Sequence, residues 1–209
     1  MAVIVTFLFI SKIHAQLLSP DLIQVSAGIS IPTFPDPFYD YWKNGFGISA
    51  ECIYQSKSQF ERIISFSYNR FEFDKDRFFK KLTIENNRPG FTGAASSLVL
   101  FGGDIRYLIP GYDKVRPYIS GGISILYSRV DKITIDYEYS PIVQKSKNNF
   151  GLSFPVGAYL EFPYKDKFEM VLSAKHYFGV VQNKEINTNY DAVRLGVIFF
   201  LISTPITVP

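Results

Sequence analysis

Alternation with a period of two, broken by connectors that are by turns short and long, constrains this chain more than any other feature. Apolar Ile23, Val25, Ala27, Ile29 and Ile31 alternate with Gln24, Ser26, Gly28 and Ser30. Successive side chains of a strand point to opposite faces, so this is a strand pattern and not a helical one. The same alternation returns over 46–54, 64–69, 99–107, 119–127, 152–162, 168–175 and 193–201. Eight strands follow, and most of these runs approach the roughly 9–11 residues that a tilted membrane-crossing strand needs.

The connectors orient these strands. Segments 55–59, 110–114 and 163–167 are short and turn-like, whereas 32–43, 71–92, 129–149 and 179–190 are long. Strict alternation of short and long is expected when turns gather on one side of a bilayer and loops on the other. An even number of strands then puts both chain ends on the short-turn, periplasmic side. No segment after Gln16 approaches 18 consecutive apolar residues, so membrane helices are excluded.

The two faces decide between membrane and water. A soluble barrel turns its apolar face inward. Here the minor face combines small residues with Glu51, Asp104, Arg106, Glu161, Glu169, Lys175 and Arg194. The lumen of an eight-stranded barrel is just wide enough for side chains. These charges are expected to neutralise one another there, leaving the larger apolar face for lipid. The chain is rich in aromatics, with 20 Phe and 14 Tyr against one Trp. Tyr54, Phe60, Tyr107, Tyr118, Phe162, Tyr164 and Phe168 lie near short turns; Phe46, Tyr68, Tyr127, Phe150, Tyr177 and Tyr190 lie near long loops. Two interfacial girdles are the expectation. An unpaired sheet edge cannot persist in hydrocarbon, so the last strand must close on the first. The fold class is therefore all-β: an eight-stranded antiparallel up-and-down transmembrane β-barrel.

Residues 1–15 differ from the rest. An apolar run from Ala2 to Ile10 followed by small Ala15 reads as a secretory signal peptide, too short to span a bilayer as a helix. The barrel is assigned to 16–201. Residues 202–209, with two prolines, are expected to form a short periplasmic tail.

On these strands, over about residues 21–201, the chain resembles the small outer-membrane β-barrel family of OmpA/OmpX type, among the porin-family outer membrane proteins. The stretch Val115-Arg116-Pro117-Tyr118-Ile119-Ser120-Gly121-Gly122 is similar to a strand common in these barrels. The last strand, Arg194-Leu195-Gly196-Val197-Ile198-Phe199-Phe200-Leu201, resembles the signal read by the barrel-assembly machinery, with Arg194, Gly196, Phe199 and Leu201 at the signal positions. Family members commonly end at the terminal aromatic, whereas this chain continues. The resemblance implies residence in the bacterial outer membrane as a monomer, among membrane lipids that include lipopolysaccharide. It also implies a non-enzymatic role in membrane integrity, surface contact or adhesion, carried by loops 71–92 and 129–149. Ile133, Ile135, Tyr137 and Tyr139 continue to alternate beyond the membrane band. They are expected to present an exposed edge to which an extracellular protein adds a strand.

Other chemistry is sparse. Cys52 is the only cysteine, which excludes an intrachain disulfide and a cysteine-based metal site. His176 is the only histidine beyond the leader and has no serine close downstream, so no catalytic residue is assigned and an interfacial role is expected. The segment Asp74-Lys75-Asp76-Arg77, followed by Lys80-Lys81, is read as a solvated loop. Neither cofactor nor metal is implied, and a net charge of +3 without a basic stripe argues against nucleic acid. The alternatives are a narrow passive channel, a lipid-modifying enzyme acting through His176, and a soluble ligand-binding barrel.

Overall fold

The structure, a computed structural model, describes residues 20–201 apart from 34–36, 56–58, 82–89, 94, 113, 137–140, 166–167 and 182–187. The expected leader, the tail, and Tyr137 and Tyr139 lie outside the described residues. Eight strands close into an antiparallel barrel: β1 (Leu22–Pro32), β2 (Gly45–Tyr54), β3 (Phe60–Glu72), β5 (Ala95–Leu108), β6 (Arg116–Val130), β9 (Lys147–Lys165), β10 (Phe168–Val181) and β11 (Tyr190–Phe200). Each pairs with its sequence neighbour within the barrel, and β11 closes on β1, with Leu22 opposite Phe200 and Pro32 opposite Tyr190. The start of β1 and the end of β11 meet at the short-turn side, where the Leu201 amide donates to the Asp21 carbonyl at 3.1 Å.

The wall has the polarity of a membrane protein. Phe66 is 47% exposed, Val156 54% and Leu195 57%, while Glu51, Asp104 and Arg194 are each below 5%. A soluble barrel would reverse these values, because exposed apolar area on this scale is unfavourable in water by about 25 cal/mol per Å². One irregularity breaks the ladder between β6 and β9. Pairing is lost between Gly121↔Val156 and Ser124↔Ser153, although the register is kept. Pro155 lies in this gap and has no N–H to donate.

Several strands outrun the membrane; β9 has 19 residues. Three of the long connectors, 32–43, 71–92 and 129–149, also carry regular structure among the described residues. Helix α1 (Pro37–Tyr41) lies between β1 and β2, and α2 (Lys75–Lys81) follows β3. The segment read as a solvated loop is thus a helix. Asp74 caps it by accepting the Arg77 amide at 3.0 Å, and Lys80 and Lys81 suit its C-terminal end.

Three further strands form a separate sheet in the order β4 (Gly90–Gly93), β7 (Ile133–Asp136), β8 (Pro141–Gln144). Here the structure corrects the expected exposed edge. Ile133 and Ile135 belong to the central strand, paired on one side with Gly93 and Phe91 and on the other with Gln144 and Ile142. Their side chains pack against an aromatic cluster. Ladder bonds on both sides leave β7 no edge for another chain; among the described residues the edges are β4 and β8.

The aromatic sorting is corrected as well. Phe60, Tyr164, Phe46 and Phe150 face outward, but Tyr118, Tyr177 and Tyr190 are buried in the lumen at 2%, 4% and 1% exposure. They share parity with the inward-facing Ser120, Lys175 and Ala192. Nearness to a strand end says nothing about which face a ring occupies.

Candidate functional site

The lumen is the most heavily constructed part of the molecule, and it is filled in layers. At the short-turn end Leu22, Ile53, Ile63, Val171 and Ile198 form an apolar floor with Tyr118 and Tyr159. This corrects the expectation of only small and charged residues on the inner face.

Against that floor lies a tier of charges. Arg106 is fully buried, pairing through Nε with Glu61 and through Nη1 with Glu161 at 2.6 Å. Its guanidinium lies 4.2 Å from the centre of the Tyr118 ring, a cation–π contact that adds to the pairing. Arg116, at the mouth, pairs with Glu169 and approaches Glu161 at 3.5 Å. In the next tier the Lys175 ammonium donates to Asp104 at 2.7 Å and to Glu51 at 3.2 Å. The Tyr159 hydroxyl donates to Glu51 at 3.4 Å. Burying a charge is costly unless partners compensate it, and these pairs join strands that are not neighbours in the barrel as well as strands that are.

Six of the seven charges expected in the lumen therefore meet in these two tiers. Arg194 stands apart, donating to Asn69 at 2.7 Å and to the Tyr177 hydroxyl at 3.5 Å, without a carboxylate in ion-pair contact among the described residues. Its neighbours Tyr177 and Tyr190 stack at 4.6 Å and begin the aromatic layer above. Sequence reasoning missed Glu61, Arg116, Asn69 and Tyr159. Glu61 was within reach: extending the Ser65–Ser67 parity back along β3 puts it on the inner face.

Above the charges, Phe38, Trp42, Phe71, Phe73 and Phe79 cluster with Leu98, Leu100 and Leu126. The Phe38 ring meets Phe71 edge-on at 5.0 Å. Helices α1 and α2 thus close the loop end of the lumen with an ordinary apolar core.

The assembly-signal positions divide by face. Arg194 and Gly196 point into the lumen, whereas Phe199 and Leu201 are exposed on the outside. His176 faces outward, its Nδ1 2.8 Å from Asp191 Oδ1 on the neighbouring strand and its ring edge-on to Phe178 at 4.2 Å. Among the described residues no cluster of His, Cys, Asp and Glu is arranged to hold a metal ion.

A closed eight-stranded wall with an apolar exterior and a paired, charged interior defines a transmembrane β-barrel. Among solved structures the fold is similar to that of a major outer membrane protein from Thermus thermophilus, with a TM-score of 0.53 and 11% identity over 86% of this chain and 98% of that one. It also resembles Neisserial surface protein A, at a TM-score of 0.48 and 14% identity over 86% of this chain and 96% of that one. A third is Ail, the attachment invasion locus protein of Yersinia pestis, at 0.47 and 14%, over 88% and 100%. At such identities the likeness is one of fold. No family model and no curated protein matches the chain.

Proposed function

We propose that this chain is a monomeric bacterial outer-membrane protein without enzymatic activity, serving envelope integrity and surface contact through its loop-side cap. The observation that carries this reading is the reversed polarity of the wall, with Phe66, Val156 and Leu195 outside and Glu51, Asp104 and Arg194 inside. Lipid is the solvent that suits such a surface, and a closed barrel is the only sheet that survives in it. Assembly would proceed through the barrel-assembly machinery reading Arg194, Gly196, Phe199 and Leu201. On the loop side the outward positions Arg70, Ser97 and Arg129 are cross-strand neighbours. This row suits the phosphates of lipopolysaccharide, since arginine binds phosphate through paired donors.

Surface contact by strand addition is reassigned from Ile133 and Ile135 to β8, whose Val143 is 46% exposed. The channel alternative is disfavoured by the three filled layers of the lumen. Membrane fractionation combined with gel mobility before and after boiling tests the reading. A folded membrane barrel shifts on boiling and stays with the outer membrane; a chain soluble without detergent sinks the proposal. Deleting 141–144 tests the contact role, with reduced adhesion of cells to a protein-coated surface as the expected result.

A further inference from the structure

Two grooves on the outer wall differ in charge. One, of about 590 Å³, lies over Ala27 and Ala50 and is walled by Val25, Ile48, Phe66 and Leu195, with no charged side chain in its lining. The other, of about 610 Å³, crosses β3, β5 and β6 toward Tyr54 of β2 and has two charged residues in its lining: Arg62 on the outer face, and Asp104, whose carboxylate turns into the lumen to Lys175. Both volumes are within the ~300–1,000 Å³ of ligand pockets.

Arg62 is an outward-facing residue of β3, one outward position deeper than Phe60, whose ring meets Tyr107 at 5.0 Å. Two residues of a tilted strand advance about 5 Å toward the bilayer centre. The Arg62 backbone therefore lies just inside the aromatic girdle, opposite Tyr54 of β2, and no carboxylate forms an ion pair with its side chain among the described residues. A cation at that depth is stable when its long side chain reaches the headgroup layer or meets an anion.

The groove floor is made by Gly103 and Gly121, and neither needs to be glycine for the backbone. Positive φ occurs at Gly93 and Gly111 instead. A Cβ on Gly103 would come no nearer than 3.6 Å to the Ile63 carbonyl, and one on Gly121 no nearer than 3.9 Å to that of Pro155. The inward Gly28, by contrast, would put a Cβ 2.0 Å from the Val193 carbonyl. Side chains at 103 and 121 would fill the groove without straining the wall.

We propose that this groove binds one phospholipid of the leaflet on the short-turn side. Arg62 pairs with its phosphodiester, and one acyl chain lies over Gly103 and Gly121 between Ile64, Ile105 and Ile123. This rests on the membrane reading above. Phosphate is selected because it offers paired acceptors to the guanidinium fork, and the groove runs from that fork along the apolar wall.

Native mass spectrometry of the full chain in detergent, titrated with phosphatidylglycerol or with diacylglycerol of the same chains, tests it. The wild type is expected to retain one phosphatidylglycerol about tenfold better than diacylglycerol, the scale of one charge-assisted contact. Arg62→Gln should abolish that preference, Arg62→Lys should keep part of it, and Gly121→Leu should lower retention of both lipids. Ala27→Leu, in the uncharged groove, should change neither. Equal retention of the two lipids by the wild type, or an unchanged preference in Arg62→Gln, overturns the proposal. The heat-induced mobility shift is read on every sample. If it persists while the preference is absent, the lipid site alone fails; if the wild type lacks it, the membrane reading fails first.

Discussion

The charged tiers of the lumen and the aromatic cap above them fill the same barrel by opposite means. Around Arg106 and Lys175 nearly everything is electrostatic: each cation meets two carboxylates, across the barrel as well as between neighbouring strands. Around Phe71 and Phe38 the contacts are apolar rings, as in a soluble domain. The difference follows from surroundings. Within the membrane band the wall must turn its oily side chains to lipid, so polar groups remain for the inside and must satisfy one another. Beyond the band, water is the solvent again, and α1, α2 and the small sheet bury their apolar surface in the usual direction.

That contrast can be broken at its strongest point first. Arg106→Met should leave Glu61 and Glu161 buried without their shared partner and destabilise the barrel by about 5 kcal/mol, the upper end for breaking a buried pair. Urea unfolding in lipid vesicles measures this, and adding Glu61→Gln and Glu161→Gln should recover much of the loss. If Arg106→Met alone is harmless, the charged tiers do not hold the lumen together.

Phe71→Ala should cost about 4 kcal/mol by opening a cavity under the cap. The effect should be confined there: limited proteolysis should cleave around α1 and α2 while the boiling-dependent gel shift persists. Loss of that shift would show that cap and barrel form one cooperative unit.

Phe66→Arg, at the middle of β3 on the outer wall, should cost about 3 kcal/mol in bilayers, the scale for a cation at the membrane midplane. A substitution without effect would mean that this face does not meet lipid.

The smallest effect belongs to the helix pair of the cap. Lys81 on α2 donates to Asp40 on α1, and that hydrogen bond raises its pKa above the ordinary lysine value. A raised folded-state pKa stabilises below the unfolded value and is lost as pH rises through the folded one. Hydrogen exchange in α1 should therefore quicken slightly at strongly alkaline pH, and Lys81→Met should remove that dependence.

How much is legible in the sequence differs between the two regions. The inward parity of Glu51, Asp104, Arg106, Glu161, Glu169, Lys175 and Arg194 can be read one strand at a time. Their partners cannot: Lys175 reaches Asp104 from a strand that is not its neighbour, a relation set by barrel closure. The cap escapes sequence reading for the same reason. Asp74-Lys75-Asp76-Arg77 has the charge of a loop, and its helix shows only when Phe79 has a core to enter. Ile133 and Ile135 look like an edge because β4 and β8 are each only four residues long.

By itself the sequence determined the strands, their inner and outer faces, and the side on which the turns are short, because alternation is a property of one strand in a given solvent. Only the tertiary structure decided which charges meet and what covers the loop end. Those depend on register and closure, which bring together residues more than a hundred positions apart, such as Glu51 and Lys175.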